Sequence, residues 1–264
     1  MPITRLPDPD GQPSRVFRRG DTVLRPAGPW TPAVHELLRH LEQAGFAGSP
    51  RVVGDGYDDQ GREVLTFIDG TFVHPHAWSD DAIWRAGRLL RVLHDATAGF
   101  RPPPDAAWYS WPFRAGFGAP GTVISHCDAG PWHFAVRDGP PFALIDWDTA
   151  GPTGRLDEIA ATAWWNAQLH DDDIAERHAL PPAAARAAQL RYFLDGYRLA
   201  AGDREGLITR MIEYAIRDCA AEAVKAQATP DSADPAPLWA VAWRGRSAAW
   251  MIRHRALLEN AITA

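Results

Sequence analysis

Apolar residues along this chain follow two spacings, and the change between them divides it. Up to residue 69 they mark short strands. Arg15-Val-Phe-Arg18 and Thr22-Val-Leu-Arg25 flank Arg19-Gly20-Asp21, so β-branched and aromatic residues surround a glycine turn, which predicts a hairpin. Arg51-Val-Val53 and Glu63-Val-Leu-Thr-Phe-Ile68 flank Asp58-Asp-Gln-Gly61, which predicts a second. Between the hairpins, Val34, Leu37, Leu38 and Leu41 recur at helical spacing. Thr31-Pro32 reads as the helix start, with Thr as cap and Pro in the first helical position, and Gly45 as its end.

After Asp69-Gly70, read as a hinge, helical spacing dominates. Ser79 is placed to cap a helix whose apolar face is Ile83, Ala86, Leu90 and Leu93, and Arg101-Pro-Pro-Pro104 stops it. Residues 122–148 return to short strands and turns. Helical patterns follow at Leu156–Leu169, Ala183–Leu199, Arg204–Lys225 and Leu238–Leu258, with the proline-rich loop Thr229–Pro237 before the last. The expectation is an α+β chain in two parts: a strand-rich unit over 1–69, and a mainly helical unit with a strand-rich insert over 70–264.

Composition narrows the function classes. The 264 residues suffice for a large core. Apolar runs fall short of a membrane span, and Met1-Pro-Ile-Thr-Arg-Leu-Pro7 lacks the apolar stretch of a secretory signal. Cys127 and Cys219 form neither a disulfide framework nor a zinc spacing, so a reducing, cytoplasmic setting is expected. A net charge of −6 gives no support for nucleic-acid binding. The single lysine, Lys225, leaves cationic roles elsewhere to arginine and histidine.

The densest chemistry lies in residues 122–148. Val123-Ile124 leads into a polar loop with His126, Asp128 and His133, and Phe134-Ala-Val136 leaves it. Asp138-Gly139 turns the chain back, and Phe142-Ala-Leu-Ile145 delivers Asp146 to the loop's end. Hairpin geometry therefore predicts that Asp128, His133 and Asp146 converge. Two carboxylates and an imidazole suit phosphoryl transfer: one carboxylate orients or deprotonates a hydroxyl, and the other helps hold Mg²⁺ against nucleotide phosphates.

His126-x-Asp128-x4-His133, followed by Ile145-Asp146-Trp147, resembles the catalytic and metal loops of the aminoglycoside phosphotransferase family. That family usually has His-Gly-Asp-x4-Asn and Ile-Asp-Phe or Ile-Asp-Trp. The resemblance extends to Asp10–Ser14 as phosphate-covering loop, Val64–Gly70 as hinge, Leu89–Asp95 as the Leu-x-x-Leu-His helix, and Gly151–Ala160 as the segment after the metal loop. It implies a bilobal, protein-kinase-like fold that moves the γ-phosphoryl group of ATP or GTP, with Mg²⁺, to a hydroxyl of an antibiotic-like or natural-product molecule.

Residue by residue, the resemblance makes Asp128 the catalytic residue and His126 a brace of its loop. Asp146 becomes the main Mg²⁺ ligand, and His133 stands where Asn is usual, as in the family's macrolide kinases. Gly11 and Ser14 would cover the phosphates, and Thr66, Phe67 and Ile68 would border the nucleotide. Arg25 replaces the usual strand lysine, while Glu36 or His35 stands near the place of the glutamate that pairs with it. Cys127, where glycine is usual, reads as buried filler. Asp148 is open between a substrate contact, a neighbour of the metal and a turn residue. Trp108, Trp111, Trp164 and Trp165 read more readily as core than as rings for stacking, and Asp171-Asp-Asp173 as a helix start rather than an ammonium trap. Two rival readings remain: a catalytically weak module that binds a nucleotide or other ligand, and a transition-metal hydrolase using His126, Asp128, His133 and Asp146.

Overall fold

The computed structural model describes residues 2–6, 15–232 and 234–263. Gly11 and Ser14, the expected phosphate loop, lie outside the described residues. Both predicted hairpins form. Strands β1 (Ile3–Arg5), β2 (Phe17–Arg19) and β3 (Thr22–Arg25) run antiparallel, and Gly20 turns the β2–β3 hairpin at φ +60°. Helix α1 (Thr31–Gln43) follows, then β4 (Val52–Tyr57) and β5 (Glu63–Thr66). The sheet order is β1-β2-β3-β5-β4. β1, at its edge, is a strand the sequence pattern does not announce.

Val34, Leu37, Leu38 and Leu41 of α1 are fully buried, and the helix packs on β4 and on α2 (Asp80–Thr97). Its start differs by one residue from the expected one. Trp30 is the cap residue, and Thr31 is already helical while its Oγ1 accepts from the Gly28 amide. Its end is as expected. Gly45 has φ +74°, its N–H donates to Glu42 O, and Phe46 N–H donates to Leu41 O. Those paired bonds close a helix C-terminus on a left-handed glycine.

Ser79 caps α2 by accepting from Ala82 N, and Ile83, Ala86, Leu90 and Leu93 are fully buried. The strand-rich insert comprises β6 (Thr122–Ser125), β7 (Phe134–Val136) and β8 (Pro141–Leu144), followed by β9 (Gly151–Gly154). β7 and β8 form the predicted hairpin about Asp138 and Gly139, both at positive φ. β9 folds back onto β6, a pairing the sequence left unread.

The helical remainder is α3 (Arg155–Asn166), α4 (Asp172–Arg177), α5 (Ala183–Tyr197), α6 (Ala201–Arg204), α7 (Leu207–Lys225), α8 (Pro235–Arg253) and α9 (Arg255–Thr263). One long expected helix starts three residues late, and another is broken. Gly206, at φ +71°, separates α6 from α7, and His254, whose ring stacks on Trp250, separates α8 from α9. The Asp171–Asp173 run starts α4 but is not merely solvated. Asp171 pairs with Arg246 and Arg253, Asp173 with Arg246, and Asp172 accepts from the Trp250 indole. Trp164 and Trp165 are core residues. The architecture is the bilobal, kinase-like one, a small sheet with a helix and then a larger helical part. Among the described residues no helix is long and apolar enough to cross a membrane.

Candidate active site

The β7–β8 hairpin and the loop leaving β6 bring Asp128, His133 and Asp146 together. His133 stands between the carboxylates: its Nδ1 lies 3.6 Å from Asp128 Oδ2 and its Nε2 lies 3.5 Å from Asp146 Oδ2. The Asp128 main-chain carbonyl accepts from His133 Nδ1 at 2.7 Å. That bond places a proton on Nδ1 and leaves Nε2 facing Asp146.

His126 braces the loop. It is fully buried, donates from Nε2 to Ile145 O at 2.8 Å, and accepts the Asp128 N–H on Nδ1 at 3.3 Å. Burial drives its pKa down to about 3, so the ring stays neutral. With both ring nitrogens engaged it is no metal ligand, and among the described residues no three-residue metal cluster occurs. Among the described residues the transition-metal reading therefore lacks a ligand set.

Beneath the loop lies a polar chain that sequence reasoning missed. Glu158 of α3 accepts from Ser125 Oγ at 2.8 Å and from Cys127 N at 3.0 Å. Ser125 Oγ also meets His94 Nε2, and His94 Nδ1 meets the Tyr197 hydroxyl. Cys127 adopts φ +64°, a left-handed conformation costly for a residue with a Cβ, immediately before Asp128. Its thiol is buried, which pushes its pKa up, so it is a filler and not a nucleophile.

Arg25 closes the site from the opposite side. In the β3–β5 register it faces Glu63, and its Nε lies 2.6 Å from Glu63 Oε2. Nη1 donates to Asp146 Oδ1 at 2.8 Å, and Nη2 bonds Asp148 Oδ1. The Trp30 indole donates to that same Asp148 oxygen at 2.8 Å. From α1, His35 Nε2 reaches Glu63 Oε1 at 3.0 Å, while Glu36 points out to Arg39. The carboxylate partner of the strand cation is thus Glu63, on the neighbouring strand, with His35 as the helix contact. A Cβ at Gly56 would fall 2.4 Å from the His35 ring, so that approach requires glycine. Glu63 faces Arg25 through the β3–β5 pairing that joins the two hairpins, a long-range register that local spacing does not encode, and Trp30 carried no sequence signal.

Electrostatics separates the two central carboxyls. Burial raises Asp128, as does the nearby Asp146, while His133 and Trp132 pull against them, leaving it at about 6. Burial would raise Asp146 too, but the Arg25 guanidinium and His133 outweigh it and hold the group below its ordinary value. Burial likewise pulls Arg25 down, but Asp146, Glu63 and Asp148 outweigh it and raise its pKa. Asp128 is thus raised to about 6 while Asp146 is held below its ordinary value, a separation suited to proton acceptance at one and cation binding at the other.

The donor set admits Mg²⁺. Asp146 Oδ2 is not used by Arg25 and lies beside His133 Nε2. Mg²⁺ commonly takes one or two protein carboxylates and completes its shell with water and phosphate oxygens. Glu63, Asp146 and Asp148 surround a single guanidinium, which leaves negative charge for a dication to offset. At the hinge, Thr66 N–H donates to Arg51 O and Phe67 N–H to Asp21 O, and among the described residues Ile68 makes no backbone–backbone hydrogen bond.

Comparison with known proteins places the fold. No protein-family model matches the chain. The trifolitoxin immunity protein of Rhizobium leguminosarum bv. trifolii is 50% identical over 252 residues, covering 96% of each chain. Among solved structures, an amicoumacin kinase in complex with AMP-PNP, Ca²⁺ and its ligand aligns over 98% of this chain and 88% of its own, at 12% identity and TM-score 0.63. A choline/ethanolamine kinase family protein from Mesorhizobium loti aligns over 100% and 92%, at 16% identity and TM-score 0.58. A macrolide 2'-phosphotransferase from Brachybacterium faecium aligns over 86% of each chain, at 18% identity and TM-score 0.53. The structural likeness establishes the fold of the aminoglycoside phosphotransferases and their kinase relatives, and the sequence identity establishes the family: the chain belongs with the trifolitoxin immunity protein.

Proposed function

We propose that this protein is an O-phosphotransferase that moves the γ-phosphoryl group of ATP or GTP to a hydroxyl of a small toxin, antibiotic or other natural product. The observation that supports it most is the convergence of Asp128, His133 and Asp146, with Arg25 bonded to Asp146 from the sheet side. Asp128 orients the acceptor hydroxyl and takes its proton as the oxygen attacks the γ-phosphorus. The bond to the bridging oxygen breaks, and its electron pair leaves with the nucleoside diphosphate. Asp146 Oδ2 and His133 Nε2 would hold Mg²⁺, which when bound offsets and orients the phosphate charge. Arg25 adds positive charge on the phosphate side, and Ile68 borders the base. The division at Asp69-Gly70 makes residues 1–69 the nucleotide-covering lobe and 70–264 the lobe that carries the acceptor.

The relative named for immunity to trifolitoxin points to a toxin as the acceptor class, because a phosphoryl group on a toxin hydroxyl changes its charge and its recognition. A second reading has its own observation. Arg25 already bonds Asp146, the expected metal ligand, as suits a protein that binds a toxin without phosphorylating it. Incubation with Mg²⁺ and ATP or GTP against trifolitoxin, aminoglycosides and macrolides, read by mass spectrometry, separates the two. Gain of one phosphoryl group, absent with Asp128→Asn, supports transfer. A toxin that is bound but recovered unmodified supports sequestration.

A further inference from the structure

The guanidinium of Arg25 is surrounded by carboxylates. Its Nε, Nη1 and Nη2 each face a different carboxylate: Glu63, Asp146 and Asp148. These partners are not equivalent. The Glu63 side chain is 2% exposed and is also held by His35, so it is a fixed anchor. The Asp148 side chain is 34% exposed and sits on a single 3-10 turn, Trp147–Thr149. One oxygen of Asp148 takes both a guanidinium N–H and the Trp30 indole N–H. Two convergent donors, one charged, are what a phosphate oxygen requires.

Resting on the nucleotide-binding reading above, we propose that Asp148 is a positioning residue that stands in for a nucleotide phosphate. In the free protein it holds Arg25 and the Trp30 indole in their working places, and an incoming phosphate displaces it. Three carboxylates about one cation make the pocket repel bare polyanions. A dication arriving with the nucleotide removes that repulsion by engaging Asp146. Asp148 therefore enforces metal-dependent loading: it discriminates against metal-free nucleotide while Glu63 keeps Arg25 in place.

Calorimetric titration of wild type, Asp148→Asn and Asp148→Glu with ATP, each with and without Mg²⁺, tests this, with inorganic pyrophosphate as a probe that needs no base pocket. Asp148→Asn should tighten metal-free ATP and pyrophosphate by roughly tenfold, the scale of one charge-assisted hydrogen bond no longer in competition. It should change binding of the metal complex far less, and Asp148→Glu should restore wild-type behaviour. A general packing role would not produce that metal-dependent difference. Weaker binding of the metal complex by Asp148→Asn would make Asp148 a metal ligand and overturn the proposal, as would equal metal-free affinities in all three proteins. If ATP binds none of them but pyrophosphate still prefers Asp148→Asn, the nucleotide reading fails and the stand-in role survives. If neither probe binds, both fall.

Discussion

Asp128 carries the most testable chemistry at the scale of a residue. Asp128→Asn keeps the side chain's shape and removes the proton acceptor, so nucleotide binding should persist while transfer falls by about 10²-fold or more. Because the carboxyl is held at about 6, wild-type turnover should rise as pH increases through that value. A rate independent of pH from 5 to 8 would remove Asp128 as proton acceptor. Glu158 gives a stability counterpart. Burial lifts it to about 7 against an ordinary 4.5, opposed by its bonds from Ser125 and Cys127. The folded protein then binds more protons than the unfolded chain between those values, so stability is greatest below the lower one and is lost as pH rises through the upper. The swing is on the order of a few kcal/mol. Chemical denaturation across that range should show a decline that is flatter in Glu158→Gln, and equal slopes would contradict the account. Asp128, His133 and Asp146 could be read together from the chain because a two-strand hairpin leaves little freedom in where its ends meet. Glu158 could not, because its role depends on α3 passing under the loop, and nothing in local spacing encodes that approach.

Among the elements, the contact between α2 and α5 sets the tightest constraint. A Cβ at Gly87 would lie 2.0 Å from the Phe193 carbonyl oxygen, and one at Gly196 would lie 1.9 Å from the Trp84 carbonyl oxygen. The two glycines face the opposite backbones and permit close approach. Gly87→Ala or Gly196→Ala should therefore destabilise by about 1–3 kcal/mol or more despite alanine's better helix propensity. Thermal unfolding measures this, and an unchanged or raised Tm in both variants would show that the helices part at no cost. Sequence spacing located α1, α2 and both hairpins of the small sheet because each pairs an apolar face with a glycine, proline or serine boundary. It missed β1 and β9, three- and four-residue strands. Their residues pair through long-range register and lack an apolar alternation of their own. It also joined α8 to α9, because His254 is no breaker by type; its ring settles on Trp250 instead.

At the scale of the whole molecule, the sheet and the insert are held together at the site by charge. Arg25 and Trp30 from the sheet side bond Asp146 and Asp148 from the insert. Arg25→Ala should weaken nucleotide affinity by about tenfold or more, since it removes a buried charge from the phosphate side. An unchanged dissociation constant would take Arg25 out of the binding site. The overall fold was legible because strand-rich and helix-rich stretches are separated along the chain and because the phosphoryl-transfer motif has a fixed spacing. The acceptor was not, because the helical part carries no motif, and its acidic run at Asp171–Asp173 is consumed by Arg246 and Arg253. The central claim is that this site binds nucleotide with metal. Its most direct test is calorimetric titration of wild type, Asp128→Asn and Asp146→Asn with ATP and GTP, with and without Mg²⁺. The prediction is metal-dependent binding of at least one nucleotide with a Kd on the order of micromolar to millimolar, kept in Asp128→Asn and lost in Asp146→Asn. The absence of binding by wild type for both nucleotides, with Mg²⁺ present, would contradict it.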